Sequence, residues 1–315
     1  MGQEEEMADR GMNKVVMIKR KTRLEELVYQ YNTMEQARFH IEHMGVDFSD
    51  YLREDANYRQ AVKQVKDAAE RHARVQEIDR DFIPNMIFGK NDIVIAVGQD
   101  GLVANVMKYL DGQPLIGVNP DIDRWDGVLL PFEPGQLGTL LPRVIAGSYN
   151  AREVTMAQAE AKDGQTMLAV NDLFVGCRTH ASARYDISWN QNTENQSSSG
   201  VIISTGLGAT GWYKSVMAQA NRMAELFGCG RIADRPLKWS DRQLAFVVRE
   251  PYPSRSTQAG IVYGRIGGGD RFCMVSKMPV DGVVFSDGVE SDAIEFNSGS
   301  EITIRIADKK GRLVV

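Results

Sequence analysis

The chain of 315 residues is 43% hydrophobic and 25% charged, with a formal net charge of −5. That length is enough to bury two cores, and the mild acidity argues against a broad nucleic-acid surface, which needs a basic face to displace counterions. Cys177, Cys229 and Cys273 form no CxxC pair and have no partner His at metal spacing, which argues for a reducing compartment and against structural zinc. No apolar stretch is long enough to cross a bilayer, so the sequence implies no membrane partner.

In chain order, Met1 to Asn13 is an acidic leader expected to be disordered and free of a targeting signal, which points to the cytoplasm. Val15 to Ile18 reads as a first strand, Met34 to His43 as a helix and Tyr51 to His72 as a longer one, in which Leu52, Tyr58, Val62, Val65 and Ala69 recur on one face. His40 and His43 share a face of the shorter helix, but two ligands do not make a metal site. Arg74 to Ile78 and Ile93 to Val97 read as further strands. Strands alternating with helices imply a doubly wound, nucleotide-type α/β domain, taken as residues 14–140. Beyond it, alternating runs such as Arg184 to Trp189, Leu244 to Val248 and Glu301 to Ile306 predict a strand-rich domain over 141–315, whose last strands return to the first. Asn190 to Ser199 reads as an exposed hairpin tip.

The chemistry concentrates where the apolar run Ile93 to Val97 ends in Gly98-Gln99-Asp100-Gly101-Leu102. A strand, a tight turn and a helix start place backbone N–H groups and a positive helix end where phosphate binds. A carboxylate there repels an anion unless Mg²⁺ lies between them or the carboxylate takes a proton from an attacking hydroxyl, and both alternatives indicate phosphoryl transfer. The competing reading is that Asp100 caps the helix.

Gly98-Gln99-Asp100-Gly101-Leu102 resembles the Gly-Gly-Asp-Gly-Thr signature of the NAD kinase family, shared more distantly with lipid and sugar kinases. Pro114 to Asn119 is similar to that family's second nucleotide strand, Asn171-Asp172 to its Asn-Glu motif, and Ser204-Thr205-Gly206-Leu207-Gly208-Ala209-Thr210-Gly211-Trp212 to its Gly-rich substrate loop. Lys21-Thr22-Arg23, Trp212 and Val248-Arg249-Glu250-Pro251 resemble the mitochondrial-type branch, and Asp281-Gly282 and Ser286-Asp287-Gly288 extend the likeness towards the end of the chain.

The resemblance implies transfer of the terminal phosphate of ATP to the 2′-hydroxyl of NAD, giving NADP, with Mg²⁺ carried by ATP. It implies Asp100 as the base, Gly98, Gln99, Gly101, Leu102 and Asn119 at the donor, and Asn171, Asp172, Thr205, Gly208, Thr210 and Trp212 at the dinucleotide. It also implies a homo-oligomer that binds small nucleotides, and the site is expected to lie between the domains, with Asp100 facing the 204–213 loop. Core packing is the alternative for Trp212, and closing a turn the alternative for Asn171 and Asp172. Gln99 stands at the family's second Gly, Leu102 at its Thr, and Leu207 and Ala209 replace hydroxyl residues. A side chain at 99 is expected to cost on the order of 1 kcal/mol if the turn needs positive φ. A non-catalytic nucleotide binder, or a kinase for a lipid or sugar hydroxyl, remains the alternative function.

Overall fold

A computed structural model describes residues 14–232 and 234–315; the leader expected over residues 1–13 lies outside them. The chain forms two compact units, one running as far as Arg152 and joined by Arg312–Val315, the other Glu153–Gly311.

In the first unit the strands β1 (Lys14–Lys19), β2 (Arg74–Asp79), β3 (Ile93–Val97) and β4 (Leu115–Val118) pair in parallel in the order β2-β1-β3-β4. All five residues of β3 are buried, as expected for a central strand covered on both faces. The long helix Ser49–Glu70 presents Tyr58, Val65 and Ala69 to a core that includes Val15, Met17, Ile95 and Ile116. Leu52, expected on that apolar face, is instead 38% exposed. Two residues on, the buried position belongs to Glu54, whose carboxylate accepts from Arg20 at 2.6 Å. A charge can occupy that place because a partner and further hydrogen bonds satisfy it.

A helix the strand-and-helix reading omitted, Arg23–Tyr31, follows β1. Its start is a capping box in which Thr22 accepts from the Glu25 amide and the Glu25 carboxylate accepts from the Thr22 amide. Helix Leu137–Ile145 buries Leu137, Leu140, Leu141 and Val144, all four in the same core as Ile95, and so belongs to the first unit. The last strand, Glu301–Val314, ends there, with Leu313 paired in parallel to Leu115.

The second unit contains an antiparallel sheet of six strands, Tyr263–Gly267, Gln243–Val248, Val201–Ser204, Asp172–Cys177, Gly282–Ser286 and Val289–Glu295, in that order. Period-two alternation divides its faces. Leu173, Val175, Val201, Ile203 and Phe246 join one core with Tyr185, Phe272 and Ile304 of other strands, while Phe174, Ile202, Ala245 and Val247 face away and pack with Tyr213, Val216 and Met217 of helix Trp212–Leu226.

Of residues 190–199, only Asn190–Thr193 form an exposed hairpin tip. Asn192–Ser198 is a strand paired with Ala183–Trp189, and Gln196 and Ser198 are buried because Tyr185 donates to Gln196 at 3.3 Å and shares a 2.6 Å hydrogen bond with Ser198. Polar side chains that bond one another can line a core, which composition alone does not reveal. No helix among the described residues is long and apolar enough to cross a membrane.

Candidate nucleotide and phosphoryl-transfer site

In the first unit β3 is followed by Gly98, whose amide donates to the Val118 carbonyl at 3.2 Å. A Cβ at Gly98 would come within 2.9 Å of the Leu102 side chain, which would have to shift to admit it. Gln99 is the N-cap of the helix Asp100–Met107, at φ −117° and ψ 163°. This is ordinary extended backbone, so the strain expected from a side chain at 99 does not arise.

Asp100 is the first residue of that helix rather than its cap. Its Oδ1 accepts from the Leu129 amide at 2.7 Å, and Oδ2 has no hydrogen-bond partner among the described residues. A carboxylate in the first turn is favoured by the helix dipole whatever else it does.

The other donor-side positions divide. Gly101 is exposed and Gln99 half-buried, whereas Leu102 is 2% exposed and part of the packing. Asn119 is also buried. Its amide nitrogen donates to the Trp125 carbonyl at 2.9 Å and its oxygen accepts from the Asp121 amide at 3.1 Å, so its side chain organises the loop after β4. Arg20, just after β1, lies against Gly98 through its methylenes and pairs with Glu54.

The second unit assembles Asn171, Asp172, Thr205, Gly208 and one residue not assigned a role from sequence, Asp287. Strand register puts Asp172 opposite Ser204, which brings the loop that follows Ser204 against Asn171. The Thr205 amide donates to the Asn171 carbonyl at 2.9 Å, and the Thr205 hydroxyl donates to the Val170 carbonyl at 2.6 Å while accepting from the Leu207 and Gly208 amides, each at 3.2 Å. Thr205 is fully buried, and its hydroxyl is committed to the protein rather than held out to a base or ribose. A Cβ on Gly208 would sit 2.0 Å from the Asn171 carbonyl oxygen, so the loop meets the strand backbone to backbone.

Asp287 closes the arrangement from the turn after Gly282–Ser286. Its Oδ1 accepts from the amides of Asn171 at 2.6 Å, Val170 at 3.1 Å and Asp172 at 3.2 Å, and its own amide donates to the Asp172 carbonyl at 3.0 Å. A carboxylate in a nest of three amides fixes that stretch of backbone. The Asn171 amide and the Asp172 carboxylate have no side-chain hydrogen-bond partner among the described residues and are half-buried. Both side chains therefore keep hydrogen-bonding capacity that the described residues do not use.

Burial, with the nearby Asp287 charge second, pushes the Asp172 carboxyl up from 3.8 to about 7. The folded value lies above the unfolded one. Asp172 thus contributes no penalty below the unfolded pKa, and stability is lost as pH rises through about 7. At ~1.4 kcal/mol per pKa unit the loss is at most on the order of 4 kcal/mol. Asp172→Asn should be more stable than wild type at about pH 8, with the difference vanishing near about pH 4, as read by denaturant unfolding. A constant difference across that range would contradict the raised value.

Thr210 is exposed, with its hydroxyl donating to the Leu207 carbonyl at 3.2 Å. The Trp212 ring stacks on Phe174 at 5.5 Å and 12°, and the Arg249 guanidinium lies 5.1 Å over it. It is half-buried, so ring area remains in contact with solvent. Trp212→Ala should cost about 1–3 kcal/mol of stability through the lost stack. An unchanged unfolding midpoint would show that the stack contributes nothing. Next to it, Tyr213 donates to Asp234 at 2.5 Å, and Asp234 also accepts from Tyr263 and Arg265, an anchor for the start of this helix that no local motif announces.

Among the described residues no group of three or more His, Cys, Asp or Glu side chains could hold a metal ion. His40 and His43 instead stack on Tyr31 and Phe39, respectively.

The fold is that of the NAD kinases, an N-terminal α/β unit followed by a strand-rich one. Over 97% of this chain and 84% of the other, it matches the crystal structure of yeast NADH kinase complexed with NADH, at a TM-score of 0.58 and 14% identity. An NAD kinase from Archaeoglobus fulgidus in complex with ATP matches over 96% and 94%, at a TM-score of 0.54 and 14% identity. No protein-family model and no curated protein sequence matches the chain.

Proposed function

We propose that this protein transfers the terminal phosphate of ATP to the 2′-hydroxyl of the adenosine ribose of NAD, producing NADP and ADP. The observation that carries this reading is Asp100, a carboxylate at the carboxyl edge of a parallel sheet with one oxygen held by the Leu129 amide and the other without a partner among the described residues. A group so held can receive a proton in a fixed direction.

In this reading Asp100 Oδ2 takes the 2′-hydroxyl proton as the ribose oxygen bonds to the γ-phosphorus. The bond from that phosphorus to the bridging oxygen of ADP breaks, and the electron pair leaves with ADP. Mg²⁺ carried by ATP supplies charge neutralisation at the phosphates. Gln99, Gly101 and the helix N-terminus border the donor, with Gly98, Leu102 and Asn119 supporting the turn from behind. Asn171 and Asp172 bind hydroxyl and amide groups of the dinucleotide, backed by Thr205 and Gly208, with Thr210 and Trp212 at the edge. Lys21-Thr22-Arg23, Trp212 and Val248 to Pro251 support assignment to the mitochondrial-type branch, and a cytoplasmic homo-oligomer belongs to the same reading.

Incubation with γ-labelled ATP and Mg²⁺ against NAD, NADH, a sugar panel and diacylglycerol tests it. Label on the dinucleotide is expected. Label on a sugar or lipid alone would overturn the acceptor, and no transfer with tight NAD binding would make the chain a non-catalytic binder.

A further inference from the structure

The loop 119–133, which follows β4, is built around its own polar hub. Asn119 donates to the Trp125 carbonyl and accepts from the Asp121 amide, and its backbone amide donates to the Phe132 carbonyl at 2.8 Å. Gly127, at φ +63°, lies so close that a Cβ there would be 2.7 Å from the Asn119 amide nitrogen. The Leu129 carbonyl oxygen would be 1.9 Å from a Cβ on Gly117, so the loop lies directly on the backbone of β4. These contacts deliver the Leu129 N–H to Asp100 Oδ1.

The far side of the loop is tied to helix Ser49–Glu70. Arg124 donates twice to the Asp50 carboxylate, at 3.1 and 2.5 Å, and Asn57 donates to Asp121 at 3.1 Å. Asp50 also accepts from Arg23 and Arg53, and the guanidinium of Arg124, then those of Arg23 and Arg53, hold its carboxyl far below the usual range. A half-buried fork-to-carboxylate pair has defined geometry that a lone surface pair lacks.

We propose that the Arg124–Asp50 pair is a positioning device for phosphoryl transfer, acting through loop 119–133 and the Leu129 amide to fix the orientation of the Asp100 carboxylate. This rests on Asp100 being the base. The chemical reason is directional. A carboxylate attached through a rotatable bond accepts a proton efficiently only when it is aimed, and misplacement by about 1 Å can cost a hundredfold. With Oδ1 held by Leu129, rotation is restricted and Oδ2 is the oxygen presented to the hydroxyl. Removing the tether leaves the residues that touch substrate in place, so the effect belongs to kcat and not to KM.

Two readouts separate this from simple stabilisation. Amide hydrogen exchange on the full chain should show Leu129 exchanging at least about tenfold faster in Arg124→Ala and in Asp50→Asn, with amides of β3 unchanged. In the kinase assay the same variants should lose about tenfold in kcat with KM for NAD within about twofold, and the double variant should lose little more than either alone. Arg124→Lys, which keeps the charge without the fork, should recover part of the loss. Unchanged Leu129 exchange overturns the proposal, as does a rise in KM that accounts for the whole loss. If wild type transfers no phosphate, the kinase reading fails on that result, and the positioning role in catalysis falls with it whatever the exchange data show about the tether.

Discussion

Asp100→Asn is expected to lower turnover at least about a hundredfold with little change in melting temperature, because the amide keeps an oxygen to accept from Leu129 but cannot act as a base. The structure makes this substitution cleaner than the sequence allowed. Gln99 and not Asp100 occupies the N-cap, so no cap bond is lost, and the only hydrogen bond seen at Asp100 survives the exchange. Steady-state kinetics beside thermal unfolding of both proteins decide it. Retained turnover with reduced stability would make Asp100 a structural residue and remove the base from the proposed reaction.

Asp287→Ala should be the most destabilising single change at the dinucleotide side, by about 3 kcal/mol. Three amides, those of Val170, Asn171 and Asp172, lose their carboxylate acceptor together. Position 287 also has φ +54°, where alanine adds about 1 kcal/mol of strain and asparagine little. Asp287→Asn, which keeps one acceptor oxygen, should therefore cost roughly a third as much. Because the Asp287 charge is one of the two causes that raise the Asp172 carboxyl, both variants should also bring that group down from about 7. Chemical denaturation and a pH titration of Asp172 test the two parts. Equal stability of the alanine and asparagine variants would show that the amide nest is not what holds the 170–172 backbone.

The legible parts of this chain are those governed by periodicity. The buried run Ile93 to Val97, the 3.6-residue face of Ser49–Glu70 and the alternation of Leu244 to Val248 each fix an element without reference to the rest. Thr22-Arg23-Leu24-Glu25 held a local signal for the missed helix, since Thr three residues before Glu is a capping box. The failures share a different cause. Leu52 and Glu54 exchange their expected environments because Arg20 and the Arg23 amide, about thirty residues away, satisfy the Glu54 carboxylate. Gln196 is a core residue because Tyr185 lies across a strand pair, and Asn119 is a loop hub because Gly127 folds back on it. Such partners are set by tertiary contact.

The candidate site shows the same division. The motifs quoted from sequence lie at a strand end, for Asp100, and beside the 205–208 loop, for Asn171-Asp172. A motif does not separate exposed positions from buried ones, and Leu102, Thr205 and Asn119 are buried. Asp287 stood within a quoted motif, yet its role depends on amides more than a hundred positions away. The departures at 99 and 102 also lose their force as signs of decay. Gln99 occupies ordinary backbone, and Leu102 packs where a threonine hydroxyl would need a partner.

The position of the transferred phosphate is the most direct test of the central claim. Wild-type protein, ATP, Mg²⁺ and NAD should yield a dinucleotide whose new phosphorus signal couples to the 2′-carbon proton of the adenosine ribose and which serves as substrate for a strictly NADP-dependent dehydrogenase. Phosphate on another hydroxyl, or NAD recovered unchanged while ATP is consumed, would contradict it.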